Sequence, residues 1–431
     1  MVIQLILKTN RLPEKADCWE CYQPKLFHYT SAEFLRLTGL ENTNMGAMIL
    51  AVELVNTVAG LITLLVIGLF LQRLPGKNGL LKVLAFGLLA LNPSLIGINS
   101  QATNDTFAIL FSTLALYTTY AFLQKKKPVT FLLILLFAVL GISSKTNVWI
   151  TAIAIFLALL IQGWTEKQSR ARSVRIACLF GLATMLLSIL NPLNQYITNV
   201  REYGSPILLN IERQPLPHFF KQTTAYRPGI LSIQDGIFTF KFIDLLRHPR
   251  IEGGDVYPPN RTSLWTQIYG HAYSVHFDNW PESWSTSGEQ GFALSRSIYV
   301  LALLPTLLLL IGAAMEIFLA MKSLIKRDPQ LAEATHFGLT ALTFTGFMLF
   351  IILYTMEYRD FSVMKAIFLY PAMLTFPLLF VRAGEMFRAF LTKRAGWVRA
   401  GFGIWMVALF ILYSADIVTM IALLYSRRFG M

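Results

Sequence analysis

Residues 46–72 read GAMILAVELVNTVAGLITLLVIGLFLQ, an apolar run that carries a single charged side chain, Glu53. A helix of about 20 apolar residues crosses the hydrocarbon core of a lipid bilayer. Because backbone N–H and C=O groups cannot stay unpaired in lipid, such a run must be helical there. This stretch therefore predicts a protein built of membrane-spanning helices.

The composition extends this prediction to the whole chain. Of 431 residues, 55% are hydrophobic and only 14% are charged, whereas charged residues make up about a quarter of an ordinary soluble domain. Comparable apolar runs recur and predict about ten spans in an all-α polytopic membrane protein. The predicted spans are 46–72, 79–99, 104–124, 128–144, 147–163, 174–198, 295–321, 336–355, 363–382 and 400–425.

The positions of the basic residues predict which side each loop faces. The formal net charge is +13, and most of the lysines and arginines near the spans fall in alternate loops. Because short cytoplasmic loops carry an excess of Lys and Arg, these loops are expected to be cytoplasmic and the basic excess needs no nucleic-acid partner. They contain Arg73, Lys77, Lys82, Lys125, Lys126, Lys127, Lys167, Arg170, Arg172, Arg175, Lys322, Lys326, Arg327, Arg382, Arg388, Lys393, Arg394 and Arg399.

This orientation predicts four regions. Residues 1–45 form an outer juxtamembrane segment, 46–198 six spans, 199–294 an extracytoplasmic loop domain and 295–431 four spans. Both termini are expected on the non-cytoplasmic side. The long loop is rich in proline, aromatics and both signs of charge, which favours a small folded cap over a linker.

The outer segment contains the stretch DCWECYQPKLFHYT, residues 17–30. Its Cys18 and Cys21 form a C-x-x-C pair without the second pair that a structural zinc site needs. A local disulfide and free buried thiols are the leading alternatives, ahead of redox catalysis or metal binding. The acids Glu14, Asp17 and Glu20 are candidates for a general base if burial raises a pKa, and the alternative is a solvated acidic loop.

Other polar groups are expected at the same membrane face. In NSQATNDT, residues 99–106, Asp105 begins a helix and either caps it or, with Asn104, binds a metal or an acceptor. Lys145 in SSKTN, together with Arg359 and Lys365 in EYRDFSVMKAIFLYP, lies against the positive-inside tendency. These three cations are candidates for a lipid phosphate site, and the alternative is snorkelling to the interface.

Ionisable and polar groups within the predicted spans support a different function. Glu53 with Asn56, and Asp416, would serve a transporter as a proton or ion relay, while hydrogen bonding between helices is the plainer interpretation. In the long loop, His271 and His276 are weak candidates for metal ligands because their spacing fits no strong motif.

Four motifs resemble the polytopic C-type glycosyltransferases, especially bacterial members of the protein mannosyltransferase and aminoarabinose transferase superfamily. They are WECYQPKLFHY, LNPSLIGINSQATNDTFAILFSTLALY, SKTN and MKAIFLYPAMLTFPLLF, and the resemblance covers nearly the whole chain. It implies transfer of a sugar from a polyprenyl-phosphate carrier to a lipid, glycan or protein acceptor at the outer face of the cytoplasmic membrane.

The resemblance also implies roles for residues of this chain. Gln23 and Pro24 match the later part of the first outer loop, Asn104 and Asp105 match the second acidic outer motif, and Lys365 or Arg359 would meet the carrier phosphate. The family normally opens with a membrane helix followed by an acidic motif that holds the base, whereas this chain begins at MVIQLILKTNRLP. A fragment or mis-started reading frame is favoured; replacement of that base by Glu14, Asp17 or Glu20, and an inactive homologue, are the alternatives.

The sequence therefore predicts a membrane glycosyltransferase, a hexosyl- or pentosyltransferase of the bacterial cell envelope. The expected partners are a polyprenyl-phosphate sugar donor and membrane lipids, and a divalent metal ion is a candidate cofactor. The alternative function is a transporter or flippase of a lipid-linked or small anionic substrate. The predicted catalytic residues are Glu20, Asp105 and Asp17, the donor-phosphate ligands Lys365, Arg359 and Lys145, the acceptor or substrate ligands Gln23, Asn104 and Tyr370, and the metal candidates Asp105, His271 and His276.

Overall fold

The structure of the protein is a computed structural model that describes residues 1–74, 79–165, 170–208, 230, 232–251, 257–274, 289–358, 363–391 and 396–429. Throughout these ranges the regular secondary structure is helical. The predicted all-α polytopic fold is therefore confirmed. Arg359 and His276, two of the predicted ligands, lie outside the described residues.

Helices account for most of the described chain. They are α1 (Val2–Thr9), α2 (Leu26–Leu37), α3 (Met45–Arg73), α4 (Gly79–Ala90), α5 (Pro93–Asn99), α6 (Asp105–Lys125), α7 (Pro128–Ser144), α8 (Trp149–Thr165), α9 (Arg170–Leu190), α10 (Tyr196–Tyr203), α11 (Ile233–Ile237), α12 (Phe242–Arg247), α13 (Pro258–Thr262), α14 (Leu264–Tyr273), α15 (Glu289–Lys326), α16 (Pro329–Ala334), α17 (Leu339–Tyr358), α18 (Thr375–Leu391) and α19 (Gly396–Phe429).

The described part of the chain contains seven helices that are long and apolar enough to cross a membrane, or nine if each of two bent pairs counts as one span. They correspond to α3, α6, α8, α9, α15, α17 and α19. The span of α8 also includes the preceding turn from Thr146, and that of α17 the preceding turn from His336. α7 is a shorter apolar helix. These elements fall at the ten predicted spans, and length and composition alone define them as candidates.

Two predicted spans are bent rather than continuous. The predicted span 79–99 consists of α4 and α5, which meet at 52°. α4 ends at Ala90, and Asn92 caps α5, since its Oδ1 accepts a hydrogen bond from Leu95 N at 2.9 Å. Pro93 follows at the first helical position. Proline is favoured there because a backbone N–H in the first turn of a helix has no acceptor within the helix, so that its absence costs nothing.

The bend in the ninth predicted span, 363–382, is sharper. A 3₁₀ helix, Ala366–Ala372, turns through 80° into α18, and Pro371 lies within it. The sixth predicted span, 174–198, is too long by several residues because α9 ends at Leu190. There Asn191 caps a short 3₁₀ turn that contains Pro192, and α10 follows as a separate helix.

The most buried spanning helix is α6. Its side chains are buried on nearly every face, where it packs against α3, α7 and α8. A helix that is apolar all round belongs in the interior of a bundle. The bundle therefore surrounds α6, and both ends of this helix are held by neighbouring elements.

The short helices before α3 and between α10 and α15 pack on one another and on the spans. α1 and α2 pack on each other through Val2, Ile6, Cys21 and Ala32, and α11 to α14 form the described part of the predicted cap. Of the alternatives for the cysteine pair, the disulfide is formed between Cys18 and Cys21.

Candidate active site

The start of α6 and the end of α7 meet in an ion pair. Lys145 Nζ donates a hydrogen bond to Asp105 Oδ1, and the two side chains are 17% and 11% exposed. The second oxygen, Asp105 Oδ2, accepts a hydrogen bond from Thr103 Oγ1 at 3.0 Å. Antiparallel neighbours bring their opposite termini together, so residues separated by a whole helical hairpin form one charged pair.

The outer segment joins this pair through Gln23. Asn104 Nδ2 donates to Gln23 Oε1 and to the backbone oxygen of Ser144 at 3.2 Å. Gln23 Nε2 in turn donates to Glu20 Oε2 and to the Tyr22 hydroxyl at 3.2 Å. Three segments distant in sequence thus form a single hydrogen-bonded cluster.

The surroundings of Glu20 change its affinity for a proton. The residue as a whole is exposed, while the protein packed on one side of its carboxylate raises the pKa of that group above its ordinary value. The charge of Lys145 and the hydrogen bond from Gln23 oppose this shift, and the charge of Asp105 adds to it. Burial disfavours the charged form of a carboxyl group and so raises its pKa. Enzymes commonly raise the pKa of a carboxylate in this way when it acts as a general base.

The bent span contributes the next part of the site. The ring of Phe368 lies with its centroid 5.1 Å from Lys145 Nζ, within the range of a cation–π contact. Lys365 is half-buried at the start of the same 3₁₀ helix, where its carbonyl accepts a hydrogen bond from Phe368 N at 3.2 Å. The structure thus brings the segment of Lys365 to the ion pair, while the pairing partner of Asp105 is Lys145.

An apolar cavity of about 540 Å³ lies on another side of this 3₁₀ helix. Its walls include Leu95, Met348, Tyr370 and Phe376. Successive residues of a 3₁₀ helix point about 120° apart, which separates Phe368 at the ion pair from Tyr370 at the cavity. The Tyr370 hydroxyl donates to Ser94 Oγ at 3.0 Å, so this predicted substrate ligand is buried against α5.

The loop before Asp105 is held by α3. The fully buried Asn56 donates from Nδ2 to the carbonyls of Gln101 at 2.5 Å and Thr103 at 2.7 Å. Gly60 lies so close to Asn99 that a Cβ would come within 2.7 Å of its Cγ. Of the two interpretations of Asn56, the structure favours hydrogen bonding over a relay. Its contacts hold the two loop residues Gln101 and Thr103 shortly before Asp105.

The other predicted ligands and acids lie in different surroundings. Asp17 pairs with Arg11 at 3.0 Å and accepts a hydrogen bond from the Glu14 backbone N–H at 2.8 Å, which are contacts within the outer segment itself. His271 is buried in α14. Among the described residues no group of three or more His, Cys, Asp or Glu side chains is arranged to hold a metal ion.

The sequence did not single out several residues that shape the cluster. Thr103, Phe368 and Lys25 stood within quoted motifs but offered no signal of their own. Tyr22, recognised only as an aromatic, has a pKa raised to about 12, chiefly by burial and then by the charge of Glu20. Only the folded chain shows that Thr103 bonds Asp105, that Phe368 lies against Lys145 and that Lys25 bonds the turn of Glu20 and Gln23.

The fold and the cluster define a class: a polytopic membrane protein with a carboxylate, amide and lysine site at one end of its helices. Residues 29–191 match the family of dolichyl-phosphate-mannose-protein mannosyltransferases. This match includes Asn104, Asp105 and Lys145, while Glu20 and Gln23 precede it. Over these residues the match bears out the resemblance to the C-type glycosyltransferases, and it supports a membrane glycosyltransferase of that type.

No curated protein sequence matches the chain. A solved structure that resembles it is the archaeal oligosaccharyltransferase AglB from Archaeoglobus fulgidus, in complex with an inhibitory peptide and a dolichol-phosphate. The identity is 14%, the TM-score is 0.45, and the likeness covers 93% of this chain and 48% of that one. The chain thus spans about half the length of that protein.

Proposed function

We propose that the protein transfers a sugar from a polyprenyl-phosphate donor to a hydroxyl-bearing acceptor at the outer face of the cytoplasmic membrane. The observation that carries this proposal is the convergence of Glu20, Gln23, Asn104, Asp105 and Lys145 at one end of the bundle. The residues Lys125 and Lys126 lie at the opposite end of α6, and basic residues favour the cytoplasmic side. The cluster would then face outward.

In the proposed reaction the acceptor oxygen attacks the anomeric carbon of the donor sugar. The bond from that carbon to the phosphate oxygen breaks, the carrier leaves as a phosphate monoester, and the acceptor proton passes to a carboxylate. Glu20 is the best candidate for that base, since its raised pKa brings its proton affinity closer to neutral pH. Asp105, already bonded to Lys145 and Thr103, is better suited to orient the cation.

Lys145 is the proposed contact for the departing phosphate. A cation placed where negative charge develops stabilises the transition state. Its ammonium already has an anionic partner in Asp105 and an aromatic face in Phe368, so its position is set before a donor binds. Lys365 and Arg359 remain proposed further ligands of the same phosphate.

The apolar cavity is the proposed site for the hydrocarbon chain of the carrier. Its volume falls in the range of about 300–1,000 Å³ that ligand pockets occupy, and its lining is almost wholly apolar, with Leu95, Met348 and Phe376 among the wall residues. The 3₁₀ helix Ala366–Ala372 borders both sites, since its Phe368 lies at Lys145 and its Tyr370 lines the cavity. In the proposed complex the anionic head of the carrier lies at Lys145 and its apolar tail lies in the cavity.

The residues around Asp105 fit a divalent ion poorly, because one of its oxygens bonds an ammonium group and the other a hydroxyl. No step of the proposed reaction is therefore assigned to a metal. Metal dependence stays a prediction, and a chelator added to the transfer assay tests it.

The test uses the purified chain in lipid nanodiscs with polyprenyl-phosphate donors that carry a radiolabelled hexose or pentose. We expect time-dependent release or transfer of the sugar, and a strongly reduced rate in Asp105→Asn. If no donor loses its sugar, the proposed function is wrong. Glu53→Gln and Asp416→Asn provide the contrast with a transporter, because neutralising these acids should abolish transport but leave sugar transfer largely intact.

A further inference from the structure

Lys25 is a lysine whose side chain is fully buried, at 0% exposure, immediately before α2. Lysine is almost never fully buried unless its ammonium group is paired or hydrogen-bonded. Burial lowers the pKa of Lys25 to about 8, while the charge of Asp17 opposes that shift. A methionine would fill similar space without the cost of desolvating a charge. The hydrogen bonds of the ammonium group must therefore offset that cost.

The ammonium of Lys25 bonds the turn that carries two of the site residues. Lys25 Nζ donates to the carbonyl oxygens of Cys21 at 2.6 Å and Gln23 at 2.5 Å. The backbone N–H of Lys25 donates to Leu193 O at 2.9 Å, in the 3₁₀ turn that follows α9. Lys25 thereby ties the turn to the helical bundle.

The disulfide restrains the same turn from its other side. Cys18 and Cys21 are bonded, and Cys21 N donates to Cys18 O at 3.1 Å, while Gln23 N donates to Glu20 O at 3.3 Å. Between these two restraints lie the side chains of Glu20 and Gln23, which leave the turn toward Asn104 and Lys145. Neither side chain has a regular helix or strand of its own to hold it.

We propose that Lys25 is a positioning residue: its buried ammonium group holds the Cys18–Gln23 turn in the conformation that presents Glu20 and Gln23 to the Asp105–Lys145 pair. Lys25 itself reaches neither the acceptor nor the donor, because both its described side-chain bonds go to backbone carbonyls. The positioning can be measured by itself. Its catalytic consequence rests on the proposed function.

Hydrogen exchange of the turn tests the positioning without any activity. In Lys25→Met we expect the amides of Cys21 and Gln23 to exchange about tenfold faster, as when one or two hydrogen bonds are lost locally, with α6 and α8 unchanged. The matched control is Lys8→Met, which removes an exposed lysine of the same outer segment and should leave these amides unchanged. Unchanged exchange in Lys25→Met, or faster exchange throughout the bundle, overturns the proposal.

If Lys25→Met does not yield folded protein, Lys25→Gln keeps a neutral donor near the same carbonyls. We then expect the local exchange to accelerate less, about threefold, since a single amide replaces an ionic donor. Exchange equal to that of the wild type in Lys25→Gln would contradict the proposal.

Kinetics test the consequence for transfer. We expect Lys25→Met to lower kcat about tenfold with an unchanged KM for the donor, and the double variant with Gln23→Ala to be no slower than the slower single variant. If the losses in kcat of the two single variants add in the double variant, or if only KM changes, Lys25 does not act by positioning this turn. If the wild type transfers no sugar, the proposed function fails, while the exchange experiment still decides the role of Lys25.

Discussion

Lys145, which follows the last residue of α7, donates a hydrogen bond to Asp105, the first residue of α6. The pair is only slightly exposed, and it connects a loop held by α3 to the 3₁₀ helix that carries Phe368. A change in this ion pair should therefore alter the loop, the position of the bent span and the pKa of the candidate base Glu20.

Replacing Lys145 tests the proposed phosphate contact. In Lys145→Met we expect kcat/KM for the polyprenyl-phosphate donor to fall by about 100-fold or more, since the variant removes a charge that stabilises the leaving phosphate. The unpaired carboxylate of Asp105 should also destabilise the fold, by less than the roughly 3–5 kcal/mol of a fully buried pair. Initial rates and thermal unfolding in detergent measure both effects.

The control is Lys127→Met, at the other end of α7, where the lysine is exposed. It makes the same chemical change away from the cluster and should leave rate and stability near those of the wild type. Equal losses in the two variants would show that Lys145 has no special part in the reaction.

The pH dependence of transfer tests Glu20 as the base. A base must be deprotonated, so kcat/KM should rise with pH through a midpoint above the ordinary value for a glutamate, because the pKa of Glu20 is raised by burial. Gln23→Leu removes a hydrogen bond that lowers this pKa and should move the midpoint upward. Asp105→Asn removes a negative charge that raises it and should move the midpoint of any residual activity downward.

The same shift has a consequence for stability. Since the folded state binds the Glu20 proton more tightly than the unfolded state, this residue favours folding at low pH, and the benefit is lost as pH rises through the raised pKa. Glu20→Gln should abolish the acidic limb of the rate profile and this part of the stability profile, whereas Glu33→Gln on α2 should change neither. A limb that survives in Glu20→Gln assigns the base to another group.

Asn56 offers a test of the loop that precedes Asp105. Asn56→Leu leaves the carbonyls of Gln101 and Thr103 without their donor, and each unsatisfied group costs about 1–3 kcal/mol when buried. We expect a loss of about 2 kcal/mol in thermal unfolding, together with slower transfer. Thr57→Val removes a longer bond of 3.4 Å to Asn99 O and a bond of 2.9 Å to the carbonyl of Glu53 in the same helix. It should cost less than half as much, and equal costs would contradict the proposed restraint.

Gly312 tests a close approach between α15 and α18. A Cβ there would lie 2.0 Å from the backbone oxygen of Leu379, and small residues are what allow membrane helices to approach so closely. Gly312→Ala should therefore lower the unfolding temperature strongly or prevent folding. At Gly403 in α19 an added Cβ would have no atom of another helix or of a nearby side chain within 4 Å. Gly403→Ala should therefore be neutral or stabilise the helix by up to about 1 kcal/mol.

Predictions from the sequence succeeded where the signal was local. Apolar run length located the spans because a bilayer demands that length whatever the packing, and the order of the outer motifs led to the family that residues 29–191 match. The bend at Ala366–Ala372 was missed because an apolar run has the same composition whether it continues straight or turns. The predicted roles of the site residues stay predictions.

The sequence by itself determined that this is a helical membrane protein and which polar segments interrupt its spans, because hydropathy and run length are properties of neighbouring residues. Only the tertiary structure decided that Asp105 pairs with Lys145, that Gln23 joins Asn104 and that Lys25 is buried beneath the turn of Glu20. Those pairings depend on how helices that are distant in the chain place their ends side by side, and no local pattern records that arrangement.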